Sequence, residues 1–235
     1  MEAKMYRYRI VFAREGEFAC LSHLELQRTF IRALRRAGVP LVYSQGFNPQ
    51  PRLSFAAPLA VGIESNREYL EVDLTACRES AELKSSLNCQ LPPALAVQKV
   101  QPADPLAPAL AAQVEAALYL AVFSPYTPEL TAALQSVAAA AVLEVERPGK
   151  DRQKRVNIRP FIYNLCLQNA SGEGKLFMFL ATGNRGGARP SEIIDLLPRP
   201  AERVRVRRLS VFIPGPEGYI TPEGETLSFF CARPY

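Results

Sequence analysis

The sequence predicts an α+β chain made of two modules, each running strand, helix, strand, strand, helix, strand. Three observations lead there. Short stretches of two-residue alternation recur along the chain and give way to helical periodicity. A stretch rich in proline and alanine, QPADPLAPALAAQ (101–113), interrupts the pattern near the middle. The order of elements before it returns after it, without any repeat of residue identity.

In the first module, MYRYRIVFA (5–13) alternates as a half-buried strand, with Tyr6, Tyr8, Ile10 and Phe12 on one face and Arg7 and Arg9 on the other. A helix over 22–37 carries a full start signal. Ser22 is the N-cap and Glu25 lies three positions on, which makes a capping box, and Leu21 and Leu26 are spaced for a hydrophobic staple. Gly38 marks the stop, with Arg35 and Arg36 in the last turn where the helix dipole favours cations. After the helix come LVYS (41–44), a turn-rich loop and RLSFAAP (52–58); EYLEVDL (68–74) is another alternating strand, CRESAELKSSL (77–87) a short helix and ALAVQKV (94–100) the last strand.

The second module reads as strands over 114–123, 140–147, 155–168, 175–182 and 203–213. Helices fall at 127–137 and 189–197. Both orders match the ferredoxin-like arrangement, βαββαβ with antiparallel sheets. The expected division is 1–104 and 105–235, the second module adding a basic hairpin arm and a tail rich in proline and glycine.

Composition narrows the function. The 235 residues include one histidine and five scattered cysteines with no CxxC pair, so a structural zinc site or a disulfide framework is not expected. Reduced thiols, the lack of a signal-like apolar N-terminal segment and the lack of any long uncharged apolar run together predict a cytoplasmic chain without membrane attachment. There is no GxxxxGK[ST] or GxGxxG phosphate loop. The net charge of +5 is concentrated: residues 140–210 hold 14 Lys/Arg against 7 Asp/Glu. Such an excess attracts polyanions.

Laid out at 100° per residue, the first helix places Leu24, Phe30, Ile31, Leu34 and Ala37 inward and Arg28, Arg32, Arg35 and Arg36 outward. Guanidinium forks on one exposed stripe suit phosphate oxygens. The loop QGFNPQPR (45–52) presents Phe47 beside Arg52, a pairing able to stack a base and hold its phosphate. The arm GKDRQKRVNIRP (149–160) concentrates Lys154, Arg155 and Arg159, and GNRGGARP (183–190) adds Arg185 and Arg189 on a glycine-rich loop. His23 has a side chain suited to general acid or base work. Its helical position instead predicts a ring packed near Phe30 and Leu34, more than half buried.

The run LSHLELQRTFIRALRRAGVPLVYSQGFNPQPRLSFAAPLAVGIES (21–65) resembles the radical SAM-linked protein family, and KRVNIRPFI and NRGGARPSE extend the likeness into the second half. That resemblance implies a radical SAM protein as partner and RNA- or ribosome-related work. The chain lacks CxxxCxxC, so any iron–sulfur cluster and S-adenosylmethionine are expected only in a separate partner chain. The leading expectation is a non-catalytic partner or substrate-binding subunit acting on structured RNA or a ribonucleoprotein. The alternatives are a metal-independent endoribonuclease of Cas6-like architecture using His23, and an adaptor for an acidic protein.

Overall fold

The computed structural model describes residues 5–149, 153–183, 186–198 and 204–226. It is a mixed α/β chain with mostly antiparallel sheet and, among the described residues, five helices. Two compact units divide at Val114 and Glu115.

In the first unit the elements are β1 (Tyr6–Arg14), α1 (His23–Arg36), β2 (Leu53–Phe55), β3 (Glu64–Leu74), α2 (Ser80–Asn88), β4 (Val97–Ala103) and the single turn α3 (Leu110–Gln113). The strand order is β4-β1-β3-β2, every pair antiparallel. LVYS contributes only isolated bridges, Leu41 to Leu74 and Tyr43 to Pro51.

Local chemistry explains α1. The Ser22 hydroxyl accepts from the Glu25 N–H, and the Glu25 carboxylate accepts from the Ser22 N–H, so two otherwise unpaired amides are satisfied at once. The other end closes as a Schellman motif: the Gly38 N–H reaches the Arg35 carbonyl and the Val39 N–H reaches the Leu34 carbonyl. Gly38 makes this possible with φ +65°, a conformation side chains resist.

The inward stripe of α1 is Leu26, Phe30, Ala33 and Leu34, all buried. Leu24, expected inward, is 60% exposed. The helix is rotated so that the sheet takes Leu26, and Leu24 shares the outer face with the arginines. The stripe packs on Tyr8, Ile10, Phe12, Leu70, Val72 and Leu74, the same face that receives Leu83 and Leu87 of α2.

The other face of this sheet is charged. Arg7 stands opposite Asp73 and Arg9 opposite Glu71 in the β1–β3 register. Each pair is an ion pair at 2.8 Å whose side chains are at most 15% exposed. The segment that follows β4 lies across them: Arg7 donates to the Ala107 carbonyl and the Leu110 N–H donates to Glu71. These bonds tie residues after 104 to the first unit.

In the second unit the elements are β5 (Ala116–Phe123), α4 (Pro128–Ala139), β6 (Glu144–Arg147), β7 (Lys154–Asn157), β8 (Ile162–Ala170), β9 (Glu173–Ala181), α5 (Pro190–Ile194), β10 (Arg205–Gly215) and β11 (Gly218–Ile220). The strand order is β10-β5-β9-β8, again antiparallel throughout, with β11 on β10 and β6–β7 as a separate hairpin. Leu130 of α4 meets the sheet at Gly174, so α4 covers the face shared by Gly174 and Leu176.

The hairpin is anchored at one corner. Arg147 of β6 forks onto Glu192 of α5 at 2.6 and 2.8 Å and also donates to the Gly187 carbonyl. Burial alone would raise the Glu192 carboxyl. The Arg147 fork and the Arg189 N–H outweigh it and hold the carboxyl below its ordinary value, while Glu192 raises the Arg147 guanidinium. A carboxylate depressed in the folded state adds stability above its unfolded value that is lost as pH falls through the folded one. Replacing Glu192 by Gln should therefore lower the melting temperature at neutral pH, and the gap to wild type should close as pH drops below about 4.5. A gap that stays constant between pH 7 and pH 3 would show that the ionised fork contributes nothing.

Cys20, Cys77 and Cys89 are free, exposed thiols. Cys166 is buried in β8, and Cys231 lies outside the described residues. Among the described residues no helix is long and apolar enough to cross a membrane.

Candidate functional site

Arg28, Arg32 and Arg35 are exposed on the outer face of α1. Among the described residues neither Arg28 nor Arg32 makes a hydrogen bond or an ion pair within 4 Å. The nearby carboxylate is Glu25, already turned to Ser22, and those hydrogen bonds hold it below its ordinary value, with a lesser contribution from Arg28. Arg36 is exposed too but committed, donating to the side chain and the carbonyl of Gln90. Two to three guanidinium groups on this stripe are thus available to an external anion.

The Gln45–Arg52 loop stands beside the C-terminal end of that stripe. The Arg35 guanidinium lies 5.9 Å from the centroid of the Tyr43 ring, a cation–π contact. The loop's neck is closed by the Ser44 N–H to the Gln50 carbonyl, by the Gln50 N–H to the Ser44 hydroxyl, and by the Arg52 N–H to the Val42 carbonyl. Gly46, with φ +123°, makes the sharp bend at the tip. Phe47 at that tip is fully exposed at 106%. A phenyl ring held in water by a closed loop gains nothing from the fold itself, and its surface is free for a partner.

Arg52, at the exit of the loop, points to the other face of the sheet. It pairs with Asp73 at 3.3 Å and lines a cleft of about 240 Å³ with Arg7, Ser54 and Glu71. Sequence reasoning missed Arg7, Ser54 and Asp73. The signal was the matched charge pattern, Arg7 and Arg9 on one strand against Glu71 and Asp73 on another, which becomes informative only once the register is known.

His23 is exposed rather than packed into the helix stripe. Its ring meets the edge of Phe55 at 5.3 Å between centroids. Among the described residues it has no hydrogen-bond partner, whereas a general base is normally oriented by a third group.

The second unit distributes its cations differently. Lys154 and Arg155 sit exposed on β7, and Arg155 is 3.9 Å from Glu144 and 3.8 Å from Glu146 across the hairpin. Exposed pairs at that distance are weak and leave the guanidinium exchangeable. Arg159 is spent internally: its three nitrogens donate to the carbonyls of Ala138, Ala140 and Ile162, closing the end of α4 against β8. Arg189 is the N-cap residue of α5, its side chain exposed and its backbone N–H bound to Glu192. Arg185 lies outside the described residues. Within the first unit, then, Arg28, Arg32 and Arg35 lie exposed on α1, and Arg35 reaches Tyr43 at the neck of the loop that displays Phe47, while Arg52 and Arg159 are engaged elsewhere.

The fold and these surfaces define a mixed α/β chain with an exposed cationic helix face and no cluster of three or more metal-ligating side chains among the described residues. The chain belongs to the family described as "Uncharacterized protein conserved in bacteria (DUF2344)", whose pattern matches residues 7–190. Among solved structures, a crystal structure of an unknown protein from Galdieria sulphuraria is similar at 14% identity, over 88% of this chain and 99% of that one, with a TM-score of 0.26. No curated protein matches the chain.

Proposed function

We propose that this chain is a binding subunit for structured RNA or a ribonucleoprotein, working beside a separate radical SAM enzyme that supplies the iron–sulfur cluster and S-adenosylmethionine. The observation that carries the RNA part is the exposed Arg28–Arg32–Arg35 face of α1, on which Arg28 and Arg32 have no hydrogen-bond or ion-pair partner among the described residues, together with the loop that displays Phe47. Guanidinium groups without internal partners lose no fold stability when they turn to phosphate, and a rigidly presented ring can stack an unpaired base. The radical SAM part rests on the resemblance of residues 21–65. We further read both units as ferredoxin-like modules in a cytoplasmic protein. The strand orders β4-β1-β3-β2 and β10-β5-β9-β8 support the first point, since each places the last strand beside the first.

The test replaces Arg28 and Arg32 together by Ala and titrates an RNA hairpin at two salt concentrations. Affinity should fall for all hairpin sequences alike, and the slope of log K against log salt should shrink by about two, one per lost phosphate contact. Both side chains point away from the core, so stability should move by only about 0.5 kcal/mol per site. Wild type binding no tighter than about 10⁻⁴ M at physiological salt would remove the RNA reading. An acidic protein partner would then replace it. Co-purification with the radical SAM protein encoded in the same cell, its loss or retention read by mass spectrometry, tests the pairing separately.

A further inference from the structure

One face of the second unit's sheet combines stacked aromatic rings with cations. In β9 the side chains of Lys175, Phe177 and Phe179 alternate onto one side, and the intervening Gly174 and Leu176 lie on the side that α4 covers. Register carries this side across the neighbouring strands. Phe179 stands opposite Leu118, Phe177 opposite Leu120 and Lys175 opposite Val122. From β10, Arg207 is opposite the same Leu120 and Arg205 opposite the same Val122. Phe212 meets Phe179 edge-on at 5.4 Å, which places it on this side as well.

At the aromatic end, Tyr163 stacks on Tyr219, with centroids 5.6 Å apart and planes 27° apart, and the two hydroxyls are 3.2 Å apart. Tyr163 also lies 5.5 Å from Phe179. Tyr163 is 45% exposed, although a phenol on a well-packed sheet would normally gain by burial. At the other end the Arg205 side chain is 77% exposed and holds Glu173 only at 3.4 Å. Four residues along β9 separate the Phe179 and Lys175 positions, about 13 Å.

We propose that this face binds unpaired nucleotides of RNA, with Tyr163, seated on Tyr219, stacking a base and Lys175 and Arg205 holding phosphates a few nucleotides further along the strand. The inference rests on the RNA reading above but names a different unit and a different part of the ligand. Sheets that recognise RNA do so by displaying aromatic rings on one face, and stacking accepts any base because every base has a π-face. The leucine between the rings, Leu118, is 8% exposed, whereas Tyr163 and Arg205 are the exposed side chains at the two ends of this face, with Leu120 and Val122 partly buried between them.

The experiment uses the full chain, which contains no tryptophan, so its emission comes from nine tyrosines, Tyr163 and Tyr219 among them. The probes are an oligouridine of about eight nucleotides, within the usual site size for such surfaces, and a blunt RNA hairpin. Oligouridine should quench tyrosine emission. Tyr163→Ala should weaken oligouridine binding roughly five- to a hundredfold, the range for losing one stacked base, and leave hairpin binding within about twofold. Tyr163→Phe, which keeps the ring and loses only the hydroxyl contact, should bind like wild type, and melting temperatures control for folding. Hairpin binding without oligouridine binding, or an oligouridine affinity unchanged in Tyr163→Ala, overturns this inference and leaves the helix-stripe reading intact. Binding to neither probe overturns both.

Discussion

Replacing Arg14 by Ala should cost the protein about 3–5 kcal/mol, seen as a fall in the urea midpoint with an unchanged slope. Arg14 ends β1 and is 1% exposed. Its nitrogens donate to the carbonyls of Phe18 at 3.1 Å, Leu59 at 3.3 Å, and Ala19 and Leu21 at 2.6 Å each. These acceptors come from the turn before α1 and from the loop before β3, so one guanidinium holds both segments together. Alanine would leave several buried carbonyls without donors, each worth about 1–3 kcal/mol, as well as a cavity the size of the side chain. Lysine offers three donors at a single point and cannot span the same acceptors. Arg14→Lys should therefore recover only part of the loss. A cost under about 1 kcal/mol for Arg14→Ala would mean that water replaces the guanidinium and that the clamp is not needed. Because a domain's whole stability is about 5–15 kcal/mol, the expected loss is a large share of it. It would also loosen the start of the helix that carries Arg28 and Arg32.

Phe30→Ala should be nearly as damaging, at about 3–5 kcal/mol. Phe30 is fully buried, 4.6 Å from the ring of Phe12 and 5.9 Å from that of Phe55. It thus links α1 to β1 and β2. Truncation removes the ring and leaves a void that the flanking strands, fixed by their ladders, cannot close. The same variant should lose RNA-hairpin affinity, because the arginine stripe is presented by the helix that Phe30 seats. Phe30→Leu keeps most of the apolar volume and should restore most of both properties. Retention of full RNA affinity in a Phe30→Ala protein that has lost the expected stability would separate the stripe from the helix seating and count against the proposed site.

The helix-cap features were the most legible part of the chain. The Ser22–Glu25 box and the Gly38 stop each involve residues at most five positions apart, so nothing remote can override them. The outward direction of Arg28, Arg32 and Arg35 follows from the same local periodicity, and so does the alternation of β1. The exact phase of the helix did not: Leu24 and Leu26 are both plausible inward positions by sequence, and the sheet chose Leu26.

Tertiary structure decided which charges and rings reach solvent. Phe47 reads equally well as a buried corner or a displayed ring, and the closed neck of its loop settles it as displayed. Arg159 reads as part of a basic arm, yet its nitrogens turn to carbonyls at the end of α4, about twenty residues away in the chain. LVYS has strand composition but forms only two bridges, because the edge it could join is taken up by β2 on β3. Tyr163 and Tyr219 lie 56 residues apart and meet only because β11 folds back on β10 within the same sheet. A cap or a turn depends on atoms that the backbone already holds within a few ångströms. Exposure depends on which distant segments arrive to cover a side chain, and that is set by the summed burial of the whole core. The sequence by itself therefore determined the elements, the helix ends and the cationic character of the chain, and only the folded structure determined which cations and aromatic rings remain free to meet a partner.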